Sequence, residues 1–193
     1  MRIVYKKKSF WESISLTVKI IVFTILTSLL GYILLLSLGE GFFLKYIAIN
    51  PASLFSEFTF WTFITSILVH GSFFHLAANM FSLFFLGSFL EKLIGSKRLF
   101  WVYLISGIFG GIFYVASAYL FGDPNIPAVG ASGAIFGLLG VLAVLTPHSK
   151  IYLIVGPLIL LFLQVVLEGF IPSSFLVVFN LVINILFFVM LFS

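Results

Sequence analysis

Long unbroken apolar runs separated by short polar punctuation dominate this chain. The first covers residues 16–38, and others cover about 72–92 and 99–121. A fourth begins near Ser132 and ends by Thr146-Pro147; the last two cover about 151–167 and 175 to the end. A helix of roughly 20 apolar residues crosses a bilayer core. Continuous blocks rather than alternation argue against a closed β-barrel. The pattern predicts an all-α membrane protein with six transmembrane helices, the fifth kinked at Gly156-Pro157.

Residues 39–70 form a long connection between helices one and two, rich in aromatics and including Trp61. Connections beyond about 12–15 residues are uncommon and often functional. So many Phe residues are incompatible with a solvated loop, and the expectation is a partly helical element lying in the membrane interface.

Composition agrees with the pattern. The chain has 193 residues, 62% of them hydrophobic and 8% charged, against about 25% charged in soluble domains. There is no cysteine, so disulfide and thiolate chemistry are excluded. The net charge of +4 does not point to nucleic acid, because the basic residues sit at the ends of the apolar runs. A cleaved signal peptide would have an apolar core of about 7–15 residues; the first run is longer and is read as a retained helix.

Charge also orients the spans. Arg2, Lys6, Lys7, Lys8, Lys92, Lys97, Arg98 and Lys150 fall on one side, with Lys19 near the same end of helix one, and only Lys45 falls on the other. The positive-inside rule then predicts a basic cytoplasmic N-terminus over 1–15, both termini cytoplasmic, and the 39–70 connection facing outward. The expected location is the cell membrane, with lipid around a single domain of residues 1–193. Ser132 falls near the outer end of helix four.

Polar residues within spans are expensive and mark function. The densest group lies in helix two: His70, His75 and Asn79. His75 and Asn79 are four apart and share a helix face. Interhelical hydrogen bonding, worth about 0.6 kcal/mol on average in membranes, is the plain alternative for them. Gly130, Ser132, Gly133, Gly137 and Gly140 form a small-residue face suited to close helix packing, which also brings a serine near imidazoles on another helix. Two histidines and an asparagine make a poor zinc set, and His70 and His75 are five apart rather than four, so no metal is expected. A channel or transporter is the weakest class, since no charged residue lies in the middle of any span, Lys19 and Glu168 being near the ends.

In combination these residues resemble the rhomboid family of intramembrane serine proteases. Gly130-Ala131-Ser132-Gly133 follows His75-x-x-x-Asn79 on an earlier helix; His70-Gly71-Ser72, His75-Leu76, Asn79-Met80 and Gly87-x-x-x-Glu91-x-x-x-Gly95-Ser96 add further matches. The resemblance covers about residues 17–193. It implies a six-helix rhomboid-like bundle, Ser132 as nucleophile, and an oxyanion hole from His75, Asn79 and backbone N–H groups around Ser132. His70, Gly130 and Gly133 would be structural neighbours of the site. It implies cleavage of single-span transmembrane proteins at or near the membrane boundary, with neither metal nor organic cofactor.

The family takes its general base from a histidine on helix six, and Asn180 stands at that position here. Leu181-Val182-Ile183-Asn184 follows, where the family usually has glycines. An asparagine does not accept a proton near neutral pH. His148 is sixteen residues past Ser132, about 24 Å along a helix and out of reach. Two expectations follow: a serine endopeptidase with weak activation, or a catalytically inactive rhomboid-like protein that binds transmembrane segments of client proteins.

Overall fold

The structure is a computed structural model and describes residues 10–146. The expected fifth and sixth helices, with His148, Asn180 and Asn184, lie outside the described residues. Within them the chain runs α1 (Phe10–Ser13), α2 (Leu16–Leu38), α3 (Glu40–Tyr46), α4 (Pro51–Leu54), α5 (Thr62–Thr65), a short 3-10 turn (Ser66–Leu68), α6 (Phe73–Ile94), α7 (Ser96–Phe121) and α8 (Ser132–Leu145). Three of these helices, α2, α6 and α7, are long and apolar enough to cross a membrane. The described residues are helical throughout their regular elements, and the protein is an integral membrane protein.

Helix α2 turns its small polar residues inward. Thr17, Thr24, Ser28 and Gly31 are buried along one face, while Phe23, Leu26, Leu29, Leu30, Ile33 and Leu36 are exposed. Lipid is as apolar as leucine, so close packing by small side chains rather than apolar burial holds such helices together. A Cβ on Gly31 would come 2.8 Å from Val69 Cγ1, and one on Gly87 of α6 would come 2.9 Å from Thr17 Cγ2.

The start of α2 is capped twice. Ser15 Oγ accepts from the Val18 N–H at 3.3 Å. The Glu91 carboxylate, from the last turns of α6, accepts from Leu16 N (2.7 Å), Thr17 N (2.9 Å), Thr17 Oγ1 (2.7 Å) and Ser96 Oγ (2.7 Å). A carboxylate there satisfies orphan donors and complements the positive end of the helix dipole. It also fixes α2 and α6 as antiparallel neighbours.

Gly95 (φ +81°) both ends α6 and begins α7, so a single residue turns one span into the next. Two expected boundaries are corrected here. The second helix continues to Ile94 rather than stopping near Lys92, and the third starts at Ser96 rather than Leu99. Lys92, Lys97 and Arg98 leave the apolar layer without leaving the helix; the glycine, not the charge, breaks the backbone.

Helices α7 and α8 approach closest. A Cβ on Gly110 would lie 2.9 Å from Gly133 Cα, one on Gly107 would lie 3.3 Å from Ala134 Cβ, and one on Gly137 would overlap Ser106. Ala134, Ile135, Leu138 and Leu142 of α8 join Leu83, Leu86 and Leu90 of α6 and Leu99 and Tyr103 of α7 in the core. Helix α8 has 14 residues, about 21 Å, and is shorter than the roughly 30 Å apolar layer. Gly110, level with Gly133, lies eleven residues before the end of α7 at Phe121. The mouth of α8 is therefore sunk about 16 Å below that end.

Two connections meet above this mouth. Ile49 and Ala128 form an antiparallel bridge, with N···O distances of 3.0 and 2.9 Å. The Ala52 N–H donates to Pro124 O (2.9 Å), Tyr119 OH to Pro51 O (2.8 Å), and Gly130 N–H to Ser66 O (2.8 Å). The segment between α2 and α6 thus braces the one that leads into Ser132.

Candidate active site

Ser132 is the first residue of α8 and is half-buried. The opening N–H groups of a helix have no partner inside it. The Ala131 N–H is taken by His70 Nε2 at 3.3 Å, and those of Ser132 and Gly133 come next, with no acceptor among the described residues. Ser132 lines a cavity of about 210 Å³ together with Ser66, Gly107, Gly110, Tyr114, Gly130 and Phe136. The α7 glycines make this space, and Tyr114 borders it while its hydroxyl donates to Ile126 O at 2.7 Å.

His75 enters from the first turn of α6, which Ser72 caps by accepting the His75 N–H at 3.2 Å. Its ring occupies the space beside Gly130, where a Cβ would fall 2.7 Å from Cε1 and 2.8 Å from Nε2. Gly130 has φ +127°, a conformation L side chains rarely adopt. Local backbone and ring packing therefore demand glycine two residues before Ser132.

Asn79, one turn further along α6, is buried, and its Nδ2 donates to His75 O at 2.9 Å. One of its two amide hydrogens is thereby used within the helix. His70 precedes α6 rather than lying in it, a correction to its expected place in helix two. It is buried, with its ring centroid 5.0 Å from that of His75 and the planes at 73°. Burial first, and the adjacent His75 second, hold His70 well below its ordinary value, at about 3. It is neutral at physiological pH, as an acceptor for the Ala131 N–H must be.

The fold thus gathers His70, His75, Gly130, Ser132 and Gly133 at the mouth of α8, with Asn79 one turn from His75. Asn180 lies outside the described residues. Among the described residues, neither His70 nor His75 is hydrogen-bonded to the Ser132 hydroxyl. Sequence reasoning missed Ser28, which lies 3.2 Å from His70 Nδ1, and Ser66, which holds Gly130. The signal for Ser28 was available: Thr24, Ser28 and Gly31 interrupt an otherwise large apolar helix on one face.

Helices long and apolar enough to cross a membrane gather a serine and two imidazoles at the mouth of α8. The Rhomboid domain family matches residues 57–191. Rhomboid protein 1, mitochondrial, of Saccharomyces cerevisiae is 39% identical over 95 residues, 49% of this chain and 28% of that protein. Rhomboid protease GluP of Bacillus subtilis is 41% identical over 91 residues (47% and 17%), and Inactive RHOMBOID-like protein 8 of Arabidopsis thaliana is 36% identical over 93 residues (48% and 25%). The chain belongs to the rhomboid family. The matches span well under half the length of these relatives.

Proposed function

We propose that this chain is a rhomboid-type intramembrane serine endopeptidase scaffold, with Ser132 as nucleophile and single-span membrane proteins as substrates. The observation that carries the reading is the packing of His75 against Gly130, two residues from a serine that opens both a helix and a cavity. The reading includes a single domain over 1–193 with six transmembrane helices, a cytoplasmic 1–15 segment, and both termini cytoplasmic in the cell membrane. Residues 39–70 then lie outward in the interface. The exposed Phe55, Phe58, Phe60 and Trp61 support that placement.

In this mechanism Ser132 Oγ adds to the scissile carbonyl carbon, and the carbonyl electron pair moves onto oxygen. The Ser132 and Gly133 N–H groups, the His75 ring and the second Asn79 amide hydrogen form the oxyanion hole. Removing one such donor costs about 2.7–4 kcal/mol in a well-studied protease. Collapse breaks the C–N bond, the amine leaves with a proton, and water hydrolyses the acyl-serine. The step that lacks support is removal of the Ser132 proton, since Asn180 carries no basic atom. No cofactor enters this scheme.

That same asparagine favours a second reading, a catalytically inactive rhomboid-like protein that binds transmembrane segments of clients. The experiment that separates them is Asn180→His, assayed with a fluorophosphonate and a single-span reporter. The protease reading expects Ser132 labelling and cleavage that rise with Asn180→His and vanish with Ser132→Ala. The binding reading expects neither, and a cellular effect that survives Ser132→Ala.

A further inference from the structure

We infer that Ser28, in the middle of α2, is a positioning residue for the Gly130–Ala131 peptide that leads into Ser132, acting through His70. The inference rests on Ser132 being the nucleophile. Its physical basis is a hydrogen-bond chain whose direction is fixed at every link. The Ala131 N–H has only a proton to give, so His70 Nε2 accepts it at 3.3 Å. A neutral imidazole with a bare Nε2 carries its proton on Nδ1. That Nδ1–H then donates to Ser28 Oγ at 3.2 Å, and the Ser28 hydroxyl is left to donate to Leu68 O at 3.3 Å.

The chain joins three elements far apart in sequence: α2, the stretch before α6, and the turn into α8. Ser28 is buried, as are His70 and Ala131, so no bulk water competes for these links. Ser28 selects the tautomer of His70. The tautomer decides whether Ala131 N–H meets a lone pair or another N–H. That in turn orients the Gly130–Ala131 peptide, the unit directly before the one from which the Ser132 N–H, an oxyanion donor, projects. Hydrogen bonds in a low-dielectric chain polarise one another in this way.

Thr27 helps the test. The same Leu68 carbonyl, at 2.6 Å, is the nearest acceptor to its Oγ1, ahead of Phe23 O (2.9 Å) and Thr24 O (3.1 Å), so Ser28→Ala leaves a hydroxyl donor beside that carbonyl. The full chain has three histidines, which makes ¹⁵N-histidine NMR in nanodiscs tractable. Wild-type His70 is expected as the neutral Nδ1–H tautomer. Ser28→Ala should shift it toward Nε2–H and perturb the Ala131 amide resonance, and Ser28→Thr should restore both.

In an Asn180→His background, fluorophosphonate labelling of Ser132 should fall about tenfold in Ser28→Ala, the scale of a displaced reacting group, and recover in Ser28→Thr. A wild-type His70 protonated on Nε2 overturns the inference. So does a Ser28→Ala chain with unchanged tautomer and unchanged labelling. If Ser132 labels in no variant, the nucleophile reading falls and positioning falls with it. The tautomer measurement distinguishes that failure from a missing Ser28–His70 link, because it does not need Ser132 to react.

Discussion

The imidazole of His75 fills the space a side chain on Gly130 would require. A Cβ there would lie 2.7 Å from Cε1 and 2.8 Å from Nε2, at a residue whose φ is +127°. Gly130→Ala therefore meets both a backbone cost of about 1–3 kcal/mol and a displaced ring. The expected outcome is a lower thermal midpoint together with at least a tenfold loss of Ser132 labelling, of the order a misplaced group costs. Gly71→Ala, whose Cβ would meet only Val129 Cγ2, at 3.7 Å, among the described residues, should keep the fold and serves as a comparison.

The crossing of α7 and α8 predicts a contrast within one helix. A methyl on Gly137 overlaps Ser106, whereas one on Gly140 meets none of the described residues within 4 Å. Gly137→Ala should destabilise by about 1–3 kcal/mol, the usual cost of overpacking. Gly140→Ala should be neutral or stabilising by up to about 1 kcal/mol through helix propensity. Thermal unfolding in detergent measures both. Ser106→Gly should recover much of the Gly137→Ala loss.

Glu91 predicts a graded series. Its carboxylate accepts four hydrogen bonds, two of them from the first N–H groups of α2. Glu91→Gln keeps the shape but removes the charge and one oxygen acceptor, and should cost about 1.5–3 kcal/mol, the worth of a charged hydrogen bond. Glu91→Ala leaves all four donors without this acceptor and should cost more. The order in unfolding midpoint is then wild type, Gln, Ala; Gln equal to wild type would remove the capping role.

His70 predicts a pH dependence of stability. Its folded value, about 3, lies below its ordinary 6.5. Between those values the unfolded chain binds the proton and the folded one does not. Stability is therefore full above about pH 6.5 and falls as pH drops through this window toward 3. Comparing wild type with His70→Gln between pH 6.5 and 5 avoids most carboxylate titration. The wild-type midpoint should decline more steeply on acidification, and equal slopes would show that His70 does not contribute.

Local pattern carried much of this architecture. The apolar runs at 16–38 and from Ser132 to 145 agree with α2 and α8, because lipid demands unbroken apolar helix and Pro and Gly end it. His75 and Asn79 share a face by spacing alone. Helix ends near Lys92 and Leu99 were misjudged, because hydropathy records where lipid stops whereas Gly95 records where the helix stops. The role of Asn180 rests on sequence, since it lies outside the described residues.

What the sequence determined by itself was a membrane chain of apolar helices carrying a serine among glycines and a His-x-x-x-Asn face. Only the tertiary structure decided which partners those residues meet. Ser28 and His70 are 42 positions apart, and His70 and Ala131 are 61 apart. Helical period tells which face a residue occupies, but not which helix or loop will lie against it. That choice is made by contacts such as Gly110–Gly133, where the absence of side-chain bulk lets two backbones approach at the mouth of α8, and Gly31–Val69, where a valine side chain seats against a bare backbone.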